Sequence, residues 1–232
     1  CGNSELCIRI ASPFLHSLAA FFIGLTAYNF SSNKNKFVIF LAALIWLLIP
    51  GISLSSGFIS TDVPLLFFAS VCLWIISLIL ITKESNISNF YFILLGICFA
   101  LAFLSKYAII YLLLGVIAAL LIDLGIRNHF IRYFNFKCLL IVFVTFFLII
   151  TPHILWNLEN GFITAQHTIA NANLGAKWSG LNNLIKFFIE QFFVFGPVTF
   201  LLLLIIFYKL KTFSIYERLL IYLTFIPIVI IL

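Results

Sequence analysis

The stretch FYFILLGICFALAFLSKYAIIYLLLGVIAALLI, residues 90–122, decides how this chain is built. Its 33 residues are apolar except for Ser105-Lys106-Tyr107. A single helix of that length would run about 50 Å at 1.5 Å per residue, while a bilayer core of about 30 Å needs about 20 apolar residues. Two short spans turning at Ser105-Lys106 fit the length, and one span does not. Working outward, six further apolar runs qualify as spans: residues 10–30, 37–54, 63–81, 138–155, 192–208 and 216–232. The expectation is therefore an all-α, polytopic integral membrane protein with about eight transmembrane helices, forming one transmembrane domain over residues 1–232.

Composition agrees. Apolar residues make up 64% of the chain and charged residues 9%, against about 45–50% and 25% in an average soluble domain. That excludes a soluble cytosolic enzyme, a disordered tail and a small disulfide-stapled module. The net charge of +6 does not point to nucleic acid, because the basic residues stand singly between apolar runs rather than in a stripe. The cysteines Cys1, Cys7, Cys72, Cys98 and Cys138 show no C-x-x-C spacing and read as small core hydrophobes. Met is absent, even at position 1, and the chain stops inside an apolar run; this reads as an internal piece of a longer chain. The rival reading is a lipid-modified start at Cys1-Gly2-Asn3.

Lys and Arg set the orientation. With the N-terminus outside, Lys34, Lys36, Lys83, Arg127, Arg132, Lys137, Lys209, Lys211 and Arg218 fall inside, and Arg9, Lys106, Lys177 and Lys186 outside, nine against four. A single crossing over residues 90–122 would leave five inside, seven outside and Lys106 in lipid. The inner connections are short; the outer ones are richer, namely residues 55–64, the turn at 105–107 and a long external loop at 156–191. Within that loop, residues 182–191 read as an amphipathic surface helix with Trp178 at headgroup level. Chemistry is expected on the outer face.

Asp62, in Ser60-Thr61-Asp62-Val63-Pro64, reads either as a helix N-cap or as a carboxylate placed to bind a cation or polarise a hydroxyl. Lys106 reads either as a snorkelling anchor or as an ammonium that neutralises a phosphate leaving group. Glu5 and Arg9 are either an i,i+4 pair on a solvated end or site residues. His153 with Glu159 or His167 offers metal ligands at a spacing that matches no standard zinc pattern. His16, inside the first span, is expected to hydrogen-bond a neighbouring helix.

The order Gly2-x-Ser4-Glu5-x-x-x-Arg9, then Ser60-Thr61-Asp62, then Gly96-x-x-x-Ala100-Leu101-Ala102-Phe103-Leu104-Ser105-Lys106-Tyr107 resembles the bacterial glycosyltransferases of family 39. These are related to protein O-mannosyltransferases and to the aminoarabinose transferase that acts on lipid A. The run Pro152-His153-x-x-Trp156-Asn157-x-x-x-Gly161-Phe162-x-Thr164-x-x-His167, with the later stretch at residues 191–197, is similar to the same branch. The resemblance covers residues 2–197.

It implies the GT-C architecture and a multi-pass enzyme of the bacterial inner membrane. Such an enzyme moves a sugar, with inversion, from a polyprenyl-phosphate carrier to a lipid, glycan or protein acceptor at the outer face. It implies that the main catalytic base lies in a first external loop upstream of Cys1, which this chain lacks together with the first span. Asp62 matches a second, supporting carboxylate that orients the acceptor or holds a divalent cation. Lys106 matches the basic residue near the lipid phosphate, and Glu5, Arg9 and His167 fall among substrate-binding positions. The chain departs from the pattern at Tyr107, where Gly often follows the Lys, and at His153, where Asn is common. The competing class is a transporter or flippase of a lipid-linked or small anionic substrate, whose signs are midplane charge and repeat symmetry.

Overall fold

The computed structural model describes residues 9–84, 87–171 and 181–231, and among these every regular element is helical. The decisive stretch is broken where the charge pattern requires. Helix α5 (Asn89–Ser105) follows α1 (Ala11–Phe30), α2 (Phe37–Leu48), α3 (Pro50–Ser55) and α4 (Asp62–Ile81). It closes on a bond from Lys106 N–H to the Ala102 carbonyl. Lys106 is then extended (φ −162°, ψ 132°), a 3-10 turn covers Tyr107–Ile109, and α6 (Ile110–Ile122) continues. After it come α7 (Leu124–Tyr133), α8 (Phe136–Glu159), α9 (Ile163–Asn171), α10 (Leu181–Phe195), α11 (Pro197–Tyr208) and α12 (Ile215–Ile231).

Each of the eight apolar runs holds a helix, and the chain is an all-α polytopic membrane protein. By length and composition α1, α4 and α8 can each cross a membrane alone, while α2 and α5 are apolar but shorter. Two runs differ from the expected single spans. Residues 37–54 bend at Ile49 (ψ 121°), because a residue before proline disfavours the helical region and Pro50 starts a new helix well. Residues 192–208 are split: a new helix begins at Pro197, after Gly196 at φ 80°, with a bend of 111° between Ile185–Phe195 and Pro197–Tyr208. The expected external loop at 156–191 is largely helical in its described part: α8 runs on to Glu159, α9 follows, and a helix, α10, covers the stretch 182–191.

Helix α1 packs on α2 and α4, α4 on α5, α5 on α8, and α6 on α12. Cys72, Ile75 and Ile79 of α4 meet Phe92, Leu95 and Cys98 of α5 in the core. Backbones approach closely where side chains vanish: a Cβ on Gly24 would lie 2.6 Å from the Ile39 carbonyl oxygen, and one on Gly96 2.8 Å from that of Val142. Such small-residue contacts are how helices associate in lipid, where apolar burial gives no driving force. Helices α2 and α11 have no buried residue, and α8 exposes Phe143 and Leu148, as lipid-facing helices do.

Side-chain contacts separate the bundle into two ends. At one, Ser12 Oγ donates to the Phe58 carbonyl at 2.9 Å, His16 Nε2 meets Ser55 Oγ at 3.1 Å, and Gly196 abuts Pro50. At the other, Phe30 stacks on Tyr216, whose hydroxyl donates to the Leu80 carbonyl at 3.3 Å. Asp123 breaks the chain there, with a bend of 116° between Tyr107–Ile122 and Leu124–Tyr133. Its carboxylate accepts from Gly125 N–H at 2.9 Å and Ile126 N–H at 3.1 Å, capping α7. Arg218 grips the same carboxylate at 2.7 and 3.2 Å. That hydrogen bond, above all, holds Asp123 below the usual carboxylate range against the opposing effect of burial.

Candidate active site

The site grows from the end of α5 and the start of α4. Asp62 is the first residue of α4, and the cap position belongs to Thr61, which makes no side-chain cap bond. The capping role considered for Asp62 is therefore not the one it takes. Its backbone N–H donates to Ser60 Oγ at 3.3 Å, and its carboxylate Oδ1 accepts from Lys106 Nζ at 2.6 Å. Because α4 and α5 are consecutive neighbours joined at the opposite end, the first residue of one meets the residue just past the other. Both side chains are 45% exposed. An ammonium has three donors; one is spent on Asp62, so two remain for an incoming anion, and Asp62 Oδ2 remains for a donor hydroxyl.

The next residue turns the other way. Tyr107 Oη lies 2.7 Å from His153 Nε2 and 2.8 Å from Thr164 Oγ1, and its ring packs on Phe103. Thr164 Oγ1 donates to Asn157 Oδ1, and Asn157 Nδ2 donates to the His153 carbonyl at 2.9 Å. Asn157 is buried. His153 and Asn157 stand one turn apart on α8, near its end. The chain then reverses through Gly161 (φ 66°) and Phe162 (φ 59°), both left-handed, so that Thr164 on α9 folds back onto Tyr107.

The expected site residues thus fall into distinct places. Asp62 and Lys106 come together. His167 is on α9, three residues and so nearly one turn beyond Thr164, and exposed; Arg9 is exposed just ahead of α1. Glu5, with its pairing to Arg9, lies outside the described residues, as do Trp178, Cys1 and Cys7. No group of three or more His, Cys, Asp or Glu converges among the described residues. His153 is engaged by Tyr107, and Asp62 offers one oxygen to an ammonium rather than joining a ligand set. The described donors do not assemble a divalent-cation site.

Sequence reasoning named Tyr107 as a departure from a pattern and His153 as another and as a candidate metal ligand, without joining the two. In the fold they are partners at 2.7 Å. The i,i+4 spacing of His153 and Asn157 at the end of a span was the available signal. His16 behaves as anticipated, bonded across helices to Ser55.

Comparison with known proteins follows the same residues. The family described as dolichyl-phosphate-mannose-protein mannosyltransferase matches residues 1–156, which include Asp62, Lys106, Tyr107 and His153. The lipid A galacturonosyltransferase RgtD of Rhizobium johnstonii is similar over 209 residues at 28% identity, covering 90% of this chain. The chain spans 41% of that relative's length. No solved structure matches.

Proposed function

The chain belongs to the dolichyl-phosphate-mannose-protein mannosyltransferase family, and on that premise we propose that it acts within a membrane glycosyltransferase of the GT-C type. The enzyme takes a sugar from a polyprenyl-phosphate carrier and passes it, with inversion, to an acceptor at the outer face of a bacterial inner membrane. The nine-to-four excess of Lys and Arg in the other connections supports an outward-facing Asp62–Lys106 end. Among lipid, glycan and protein acceptors, the name of the relative, a lipid A galacturonosyltransferase, favours a lipid. Family membership also favours transfer over the transport reading.

In this reading an acceptor hydroxyl attacks the anomeric carbon while the bond from that carbon to the carrier phosphate breaks. The phosphate leaves with the bonding pair, and the acceptor proton passes to a base that the resemblance puts upstream of Cys1. Lys106 directs its two remaining donors at the departing phosphate, where negative charge develops and fixed donors are most effective. Asp62 pairs with the ammonium and, through Oδ2, orients the acceptor. Arg9, Glu5 and His167 supply further substrate contacts. The observation that supports this reading is the 2.6 Å approach of Lys106 to Asp62 at a half-exposed end of the bundle.

The test uses membranes containing the full-length parent, incubated with labelled polyprenyl-phosphate sugars. Label should move to a lipid-extractable acceptor, and both Asp62→Asn and Lys106→Ala should abolish it. Normal transfer by both variants would remove these residues from the site.

A further inference from the structure

The hydrogen bonds around Tyr107 have a fixed direction. The His153 carbonyl only accepts, so the Asn157 atom facing it is the amide nitrogen, and Oδ1 faces Thr164. The Thr164 proton is then committed to Asn157 Oδ1. The 2.8 Å contact between Tyr107 and Thr164 therefore takes the tyrosine proton. With that proton spent, the 2.7 Å contact to His153 needs a proton on Nε2. One of the two Asn157 Nδ2 protons goes to the carbonyl; with Nε2 protonated, the 3.1 Å approach of Nδ2 to that nitrogen is a contact between two donors and not a link of the chain. The result is a one-way chain, His153 to Tyr107 to Thr164 to Asn157, joining α8, the 3-10 turn and α9.

Lys106 stands on one extended residue between α5 and that turn. A half-exposed ion pair contributes only about 0–1 kcal/mol, too little to hold an ammonium in one place. The adjoining residue, by contrast, is fixed from two other helices and by Phe103. We propose that Tyr107, His153 and Thr164 are positioning residues that set Lys106 through the backbone of Tyr107. This rests on the reading of Lys106 as the group facing the leaving phosphate. The chain determines how well the transition state is met, and donor binding depends on it little.

The full-length parent in membranes provides the test. Tyr107→Phe keeps the ring on Phe103, and Thr164→Val keeps the side-chain shape; each should lower kcat about tenfold and move the donor KM less than about twofold. Thr164→Ser, which retains the hydroxyl, should restore kcat. The double variant should be no slower than either single one, as expected of residues acting as a unit. Singles within about twofold of the parent in kcat, or losses that multiply in the double, would overturn the proposal. Amide hydrogen exchange over residues 162–168 should also quicken by about tenfold in Tyr107→Phe. If the unaltered parent transfers no sugar, the transferase reading fails, and the exchange measurement still decides the chain: quickened exchange upholds it and unchanged exchange overturns it.

Discussion

Lys106 Nζ and Asp62 Oδ1, separated by 44 residues of sequence, meet at 2.6 Å with both side chains 45% exposed. Exposed pairs are worth about 0–1 kcal/mol, so the pair does little to hold α4 and α5 together; the close packing of their facing side chains does that. Stability and chemistry should therefore separate at this site. Lys106→Ala and Asp62→Asn are expected to change unfolding by less than about 1 kcal/mol while lowering transfer by the full-length parent at least about 100-fold. Exchanging the two, with Asp62→Lys and Lys106→Asp together, should recover the pair but not the activity. A melting series with transfer assays on the same membranes checks both halves.

The pair at the opposite end should behave in the reverse way. Asp123 and Arg218 are only 13% and 21% exposed, and Asp123 also caps α7. Arg218→Ala leaves a mostly buried carboxylate without its partner, a change expected to cost about 3 kcal/mol. The folded-state pKa of Asp123 is depressed, chiefly by the Arg218 hydrogen bond. The unfolded state thus binds the proton more readily, and the stabilisation is complete above the ordinary aspartate value of about 3.9. It is lost as pH falls below that value through the folded one. Denaturation followed from pH 6 downward in detergent should show this loss in the parent and a flatter profile in Arg218→Ala.

Close helix crossings give a third expectation. Gly96 faces the Val142 carbonyl and Thr145 across the contact between α5 and α8, where a Cβ would lie 2.8 and 2.9 Å from them. Gly96→Ala must push the helices apart, and overpacking of this kind costs about 1–3 kcal/mol. Since α8 carries His153 and Asn157, transfer should fall together with thermal stability. Gly57, whose Cβ would meet nothing closer than 3.6 Å, is the control: Gly57→Ala should have little effect on either quantity.

Apolar run length made the helices legible, because a spanning helix must satisfy its backbone internally and cannot be short of apolar residues. The break at Lys106 was legible for the same reason, reinforced by charge. Hydropathy is blind to direction changes inside an apolar run, so the bends at Ile49 and Gly196 escaped it although Pro50 and Pro197 stood next to them. Helix α7, with Arg127, Asn128, His129 and Arg132 among its residues, is too polar to register as a span and needs Asp123 and Arg218 to fix its start. At the site, Asp62 and Lys106 could be named singly from position at span ends. Their pairing could not, since it depends on α4 and α5 being neighbours at matched height. The partnership of Tyr107 with His153 and Thr164 joins three segments through a left-handed reversal at Gly161 and Phe162, which no local pattern encodes.

The side of the membrane is the last expectation. Helix contacts put Ser55, Asp62, Lys106 and Thr164 at one end of the bundle, and Phe30, Leu80, Asp123 and Arg218 at the other. The excess of Lys and Arg, nine to four, predicts that the second end faces the cytoplasm. In a full-length parent freed of its native cysteines, Ser56→Cys and Gln166→Cys should react with a membrane-impermeant maleimide in intact cells. Gln166 is exposed and Ser56 partly exposed, and neither belongs to the ion pair. Asn33→Cys and Lys211→Cys, exposed at the opposite end, should react only after permeabilisation. Labelling of Ser56→Cys and Asn33→Cys from the same side would mean that the run of residues 37–54, which alone lies between them, does not cross as its length and the charges require, and the outer placement of Asp62 and Lys106 would fall with it.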